Sequence, residues 1–177
     1  EAPDKVARVP TDAATALTTQ NRWVLGARPR TLPAAIAPVL VGTAVGVWTS
    51  VGVEAQFHFI AWRFLCALVV ALAVQVATNY ANDYSDSRRG TDDPGRRVGP
   101  PRLVGDGLAT PAEVKRAMLV AFGVTLVAGA PLVILVDWRL ALVGVASVAA
   151  GWFYTGGPSP YGYAGLGEVF VFVFFGL

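Results

Sequence analysis

The chain has 177 residues, 54% of them hydrophobic and 15% charged, with a formal net charge of +2 and a mean hydropathy of +0.53. An average soluble domain is about a quarter charged, and here the apolar residues come in runs, which excludes an ordinary soluble domain and a disordered chain. A single cysteine, Cys66, and a single histidine, His58, exclude an intrachain disulfide scaffold and any multi-cysteine or multi-histidine metal site.

Residues 1–20 are polar and Ala/Thr-rich and lack the basic-then-apolar pattern of a signal peptide, which predicts a flexible tail. Residues 21–31 predict a short interfacial helix with Trp23 at headgroup level. A spanning helix takes about 20 mostly apolar residues. Spans are predicted over 32–49, 59–80, 117–136 and 140–155, and a fifth begins near Gly165. The runs are too long for strands and do not alternate. The predicted fold class is therefore all-α, a polytopic membrane helix bundle of four spans plus the start of a fifth. Pro33 opens the first span, while Pro38 and Pro131 are interior and predict kinks. Gly42 and Gly46 predict close helix packing. Gly156-Gly157-Pro158 predicts a break. Trp48, Trp62, Trp138 and Trp152 fall near span ends, as an aromatic belt would. The final apolar run, 169–177, is only nine residues, so the chain reads as part of something longer.

The basic residues set an orientation. Of 14 Lys and Arg, five precede the first span, seven lie between the second and third, and only Arg63 and Arg139 fall on the other side. This 12-to-2 split predicts a cytoplasmic N-terminus and a cytoplasmic loop near 85–116. The same arginines flank membrane spans with little aromatic interleaving, which argues against nucleic-acid binding.

The stretch from Gln75 to Asp93 reads QVATNYANDYSDSRRGTDD. As a helix leaving the second span it places Gln75, Asn79, Asn82, Asp83 and Asp86 on one face. Amides and carboxylates within a span normally face a bundle interior or a wet cavity. Asp83 and Asp86 are one turn apart and able to share a ligand. Gly90 then allows the chain to turn, bringing Asp92 and Asp93 back toward them. Carboxylates converging without His or Cys suit a hard cation such as Mg²⁺, which commonly bridges carboxylates to phosphates. Nearby arginines suit further phosphate oxygens.

The run Asn82-Asp83-Tyr84-Ser85-Asp86, followed by Gly90 and Asp92, resembles the first aspartate-rich motif of the UbiA superfamily of membrane prenyltransferases. Within it the nearest likeness is to the 1,4-dihydroxy-2-naphthoate polyprenyltransferase branch. Ala27-Arg28-Pro29-Arg30-Thr31-Leu32-Pro33 resembles that branch's lead into its first helix. Arg97-Val98-Gly99-Pro100 with Arg102-Leu103-Val104 resembles the stretch after the motif. Tyr154-Thr155-Gly156-Gly157-Pro158, Gly165-Leu166-Gly167-Glu168 and Phe174-Phe175-Gly176 resemble the later loop and helix. The likeness covers about 22–177, so 21–177 is expected to be the N-terminal portion of a nine-helix prenyltransferase domain. The family's second aspartate-rich motif does not occur in these residues, and the 177 residues alone are expected to be inactive.

The resemblance implies transfer of a polyprenyl group from polyprenyl diphosphate to 1,4-dihydroxy-2-naphthoate with loss of carbon dioxide, giving demethylmenaquinone. It implies Mg²⁺ held by Asp83, Asp86 and Asp92. Asn79 and Asn82 would orient those acids or touch phosphate, Arg102 would bind diphosphate, and Arg28 would bind substrate or anchor a loop. Tyr154, with Tyr80 as a second candidate, would stabilise an allylic cation through its ring face. The implied location is the plasma membrane, with the site on the cytoplasmic side and the bilayer as partner. The alternatives are another UbiA-type aromatic prenyltransferase, or a non-enzymatic cation transporter or channel whose acids coordinate the ion.

Overall fold

The computed structural model describes residues 21–51, 61–90 and 101–173. The predicted tail, His58, Asp92, Asp93 and Arg97 lie outside the described residues. The elements are α1 (Arg22–Ala27), a 3₁₀ turn (Pro29–Thr31), α2 (Leu32–Val51), α3 (Ala61–Arg89), α4 (Pro111–Leu135), α5 (Leu140–Thr155), a second 3₁₀ turn (Tyr161–Ala164) and α6 (Gly167–Val171). No strand occurs among the described residues, and the molecule is a polytopic membrane helix bundle.

Three stretches are long and apolar enough to cross a bilayer: Arg22–Thr49, Ala61–Arg89 and Pro111–Leu135. The fourth predicted span, α5, has 16 residues and rises only about 24 Å, against a hydrocarbon core of about 30 Å. The outward faces are apolar. Val127 on α4 is 77% exposed and Trp48 near the end of α2 is 83% exposed, with Val41, Leu126, Ile134 and Val145 similarly open. Water would not tolerate so continuous an apolar surface on a folded domain, whereas lipid does.

Helix α3 is central: α1, α2, α4 and α5 all pack on it. The tightest packing lies at one end, where Tyr80, Ala81, Leu103, Ala109, Val114 and Met118 are buried together. Two of the expected helix limits moved. Helix α4 begins six residues before residue 117, because Thr110 and Glu113 form a capping box. The Thr110 hydroxyl accepts from the Glu113 amide at 3.3 Å, and the Glu113 carboxylate accepts from the Thr110 amide at 2.8 Å. Two satisfied amides let the helix start in the polar segment that carries Lys115 and Arg116, ahead of the apolar run. At the chain's other end, the predicted interfacial helix breaks after Ala27, where Arg28 takes a left-handed conformation (φ 52°, ψ 70°). Trp23 is half-buried, its ring edge-on to Tyr80 at 6.1 Å. The Tyr80 hydroxyl donates to the Trp23 carbonyl at 2.8 Å, and this pins α1 against α3. Tyr80 is therefore a packing residue in this bundle.

Two glycine expectations divide. A Cβ at Gly42 or Gly46 would meet nothing within 4 Å, so no helix among the described residues packs on that face of α2. The predicted breaks hold. Helix α3 ends at Gly90 with φ 69°. Helix α5 ends at Thr155, and Gly157 follows at φ 75°.

One glycine is required by close approach. A Cβ at Gly26 would lie 2.5 Å from Leu103 Cδ1 and 2.9 Å from Tyr80 Cε1, and Leu103 is 1% exposed with no room to retreat. Overpacking of this kind typically costs about 1–3 kcal/mol. Gly26→Val is expected to lower the thermal unfolding midpoint in detergent by several degrees, whereas Gly42→Val leaves it near the wild-type value.

Candidate active site at the end of the central helix

The polar face of α3 ends in a set of directed bonds. Each turn of the helix serves a different segment. Near the middle of α3 the Gln75 amide donates to the Thr31 hydroxyl at 3.3 Å. One turn later Asn79 donates to the Ala27 carbonyl at 2.8 Å and to Thr31 at 3.1 Å. These bonds satisfy the carbonyl exposed where α1 breaks, which is why the chain can bend at Arg28. The Asn82 side-chain oxygen accepts from the Thr155 hydroxyl at 2.8 Å, tying α3 to the last residue of α5.

The acids lie on the same face. Asp83 is 1% exposed and its carboxylate accepts from the backbone amides of Leu103 at 2.8 Å and Val104 at 3.4 Å. The Arg28 guanidinium lies within electrostatic range of it. Asp86, one turn on, is paired with Arg102 at 2.7 Å and also accepts from the Tyr163 hydroxyl. The Arg102–Asp86 pair is buried, with side-chain exposures of 11% and 9%. Removing one partner of such a pair typically costs about 3–5 kcal/mol, because the remaining charge is stranded.

The loop that supplies these partners is itself stiff. The Arg102 amide donates to the Asp106 carboxylate at 2.7 Å, and the Ala109 amide donates to the Leu103 carbonyl at 2.8 Å. Arg22 crosses from α1 to reach the Leu108 carbonyl at 2.9 Å and Glu113 at 3.0 Å. The loop is thereby clamped over the acids from both sides.

Asn79, Asn82, Asp83, Asp86 and Arg102 thus meet at one end of the bundle, with Arg28 beside them. Tyr154 joins none of these hydrogen bonds. Its ring is edge-on to Tyr161 at 5.5 Å, and Tyr161 stacks on Phe170 at 3.8 Å. Burial, and to a lesser degree Tyr154, push the Tyr161 phenol above its ordinary pKa, so it stays a donor, to the Ala150 carbonyl at 2.8 Å. Glu168 lies in the first turn of α6, where a carboxylate complements the helix dipole. Thr31, Thr155, Tyr163 and the Leu103 and Val104 amides were not foreseen. They lie 20 to 77 residues from their partners in sequence and follow no spacing rule.

Among the described residues, no group of three or more His, Cys, Asp or Glu side chains is placed to hold a metal ion. The two acids nevertheless form an oxygen-only donor set, the type that hard divalent cations take. A carboxylate has about four lone-pair sites, so the bonds from the Leu103 and Val104 amides do not exhaust Asp83.

Residues 35–177 match the UbiA prenyltransferase family. The chain is 51% identical over 156 residues to the 1,4-dihydroxy-2-naphthoate octaprenyltransferase of Mycobacterium leprae, covering 88% of this chain and 50% of that protein. It is 52% identical over 155 residues to the Mycobacterium tuberculosis protein of the same name, with the same coverage, and 39% identical over 160 residues to that of Escherichia coli, covering 87% and 49%. The chain therefore spans about half the length of the curated relatives it matches. No solved structure matches it. A helical membrane bundle, an aspartate-rich helix end and a family match from residue 35 to residue 177 agree, and the chain belongs to the UbiA prenyltransferase family.

Proposed function

We propose that this chain is the N-terminal portion of a membrane enzyme that transfers a polyprenyl group from its diphosphate to 1,4-dihydroxy-2-naphthoate. The observation that carries this is the pair of buried acids, Asp83 and Asp86, one turn apart and flanked by the Arg102 and Arg28 guanidiniums at one end of the bundle. Three relatives named for naphthoate prenyl transfer, all above 35% identity, support the acceptor class. The basic residues that border this end of the bundle favour its facing the cytoplasm at the plasma membrane.

In the reaction, the bond between the allylic carbon and the diphosphate oxygen breaks, and the electron pair leaves with diphosphate. The naphthoate ring attacks the resulting allylic cation at carbon, and the ring carboxylate departs as carbon dioxide. Charges balance without an added proton. Mg²⁺ bound through Asp83, Asp86 and Asp92 would neutralise the diphosphate and improve it as a leaving group. The chain's own residues prepare this. Arg102 and Arg28 supply fixed positive charge in a water-poor setting, where preorganised charge acts most strongly. The Leu103 and Val104 amides hold Asp83 in orientation, and Tyr163 holds Asp86. The Tyr154–Tyr161–Phe170 stack offers ring faces to a cationic intermediate.

The transporter reading has less support. Two mid-helix hydroxyls are satisfied within their own helices: Thr125 donates to the Ala121 carbonyl at 3.1 Å and Ser147 to Val143 at 2.8 Å. Neither offers an ion a polar path.

Asp83→Asn keeps an oxygen for one of the two loop amides and removes the charge. In the full-length protein it is expected to reduce prenyl transfer by about a hundred-fold or more, measured as prenylated product from polyprenyl diphosphate, dihydroxynaphthoate and Mg²⁺, and to lower the unfolding midpoint by a few degrees, because one buried loop amide loses its acceptor. Wild-type turnover in this variant would remove Asp83 from the site. Metal dependence is tested separately. Chelator-treated membranes are expected to lose product formation and to regain it on addition of Mg²⁺; undiminished activity in chelator would exclude the cation.

A further inference from the structure

A second feature of this end of the bundle is basic, and it lies on the other side of α3. A cleft of about 450 Å³ is lined by Tyr84, Arg88 and Arg89 of α3, Lys115 of α4, Trp152 of α5 and Gly157 beyond it. Arg88 lies five residues after Asp83, about 140° round the helix, so the cleft opens on a different face of α3 from Asp83 and meets the acidic site only at its edge, where Arg89 lies over the Tyr163 ring. Its cations are held in place by neutral groups. Arg88 donates to the Tyr84 hydroxyl at 3.0 Å and sits 5.8 Å from the centre of that ring. Arg89 donates to the Gly157 carbonyl and lies 5.6 Å from the Tyr163 ring. Among the described residues no carboxylate forms an ion pair with Arg88, Arg89 or Lys115. Three like charges converge here from two helices, and with no carboxylate paired to them among the described residues this favours an anion at their centre. The guanidinium forks and the ammonium suit phosphate oxygens. Trp152 and Tyr84 provide the amphipathic rings found at headgroup depth, and three helices with apolar outer faces converge below them.

We propose that this cleft is a phosphate-binding site, separate from the acidic site. It takes either the phosphodiester head of an anionic membrane lipid or a soluble phosphate. The proposal rests on the cleft alone and does not depend on the prenyl-transfer reading. Basic pockets between membrane helices bind lipid phosphates in this way, at about 1 kcal/mol per Lys or Arg near the surface.

The test uses the purified protein in nanodiscs of phosphatidylcholine, of phosphatidylcholine with phosphatidylglycerol, and of phosphatidylcholine with millimolar inorganic phosphate. The readouts are the unfolding midpoint and lipid retained in native mass spectrometry. The wild-type midpoint is expected to rise in one or both anion-containing samples. A rise with phosphatidylglycerol alone identifies a lipid head, and a rise with inorganic phosphate identifies a soluble ion. Arg88→Gln/Lys115→Gln is expected to bind the anion roughly thirty-fold more weakly and to lose the rise, while matching wild type in phosphatidylcholine. Lys115→Gln alone, at an exposed residue, serves if the double variant folds poorly and should lose part of the rise. Arg116→Gln, outside the cleft, should keep all of it. No rise in the wild type, or an equal rise in the cleft variants, overturns the proposal.

Discussion

The amides and carboxylates that α3 carries from Gln75 to Asp86 lie where water is scarce, and an unpartnered polar group in such a place costs about 1–3 kcal/mol. Each has a partner from another part of the chain. Thr31 and the Ala27 carbonyl meet Gln75 and Asn79. Thr155 meets Asn82. The Leu103 and Val104 amides meet Asp83, and Arg102 and Tyr163 meet Asp86. Satisfying one stripe thus recruits the break before α2, the loop before α4, the end of α5 and the turn before α6. The bundle has little apolar packing to do this work instead, since its long helices present most of their apolar surface outward. In a membrane, lipid is as apolar as a leucine side chain, and polar bonds between helices carry much of the specificity.

The same groups serve the fold and the proposed chemistry, and this creates a tension. Asp83 anchors the loop above it, and Asp86 neutralises Arg102. A cation or diphosphate entering between them would share those carboxylates with the loop. The arrangement suits such sharing. Asp83 has lone pairs beyond its two amide bonds, and the loop has independent supports in Arg22 and in the bond from the Arg102 amide to Asp106. A loop held by several bonds can loosen one without unfolding. The left-handed backbone at Arg28 belongs to the same economy. A non-glycine residue in that region carries about 1–2 kcal/mol of strain, offset here by the Asn79 bond to Ala27 and the burial of Gly26 under Leu103.

Much of this was legible in advance. Five polar residues at 75, 79, 82, 83 and 86 can share a helix face only one way, so the direction of the stripe followed from helical geometry. Long apolar runs with interior prolines, and arginines gathered on one side, announced a membrane bundle. The start of α4 is carried by the Thr110-x-x-Glu113 pattern, which lies ahead of the apolar run that marks the span. Gly42 and Gly46 mark the limit of pattern reading. Their spacing permits close packing, but whether a helix arrives there depends on the neighbours of α2 and not on α2 itself.

The amino-acid sequence by itself determined which groups must be buried and paired, because helix periodicity and the cost of a bare polar group are local matters. It also determined the membrane setting, through run length and charge asymmetry. Only the tertiary structure decided the partners. That Asp83 takes two backbone amides, that Asp86 chooses Arg102 and Tyr163, and that Tyr154 turns to Tyr161 depend on segments distant in sequence. Backbone amides carry no residue signature, and long-range pairs carry no period. Arg88, Arg89 and Lys115 make the same point. In sequence they are orientation charges like their neighbours, and they become a cleft only because α3, α4 and α5 close together around them.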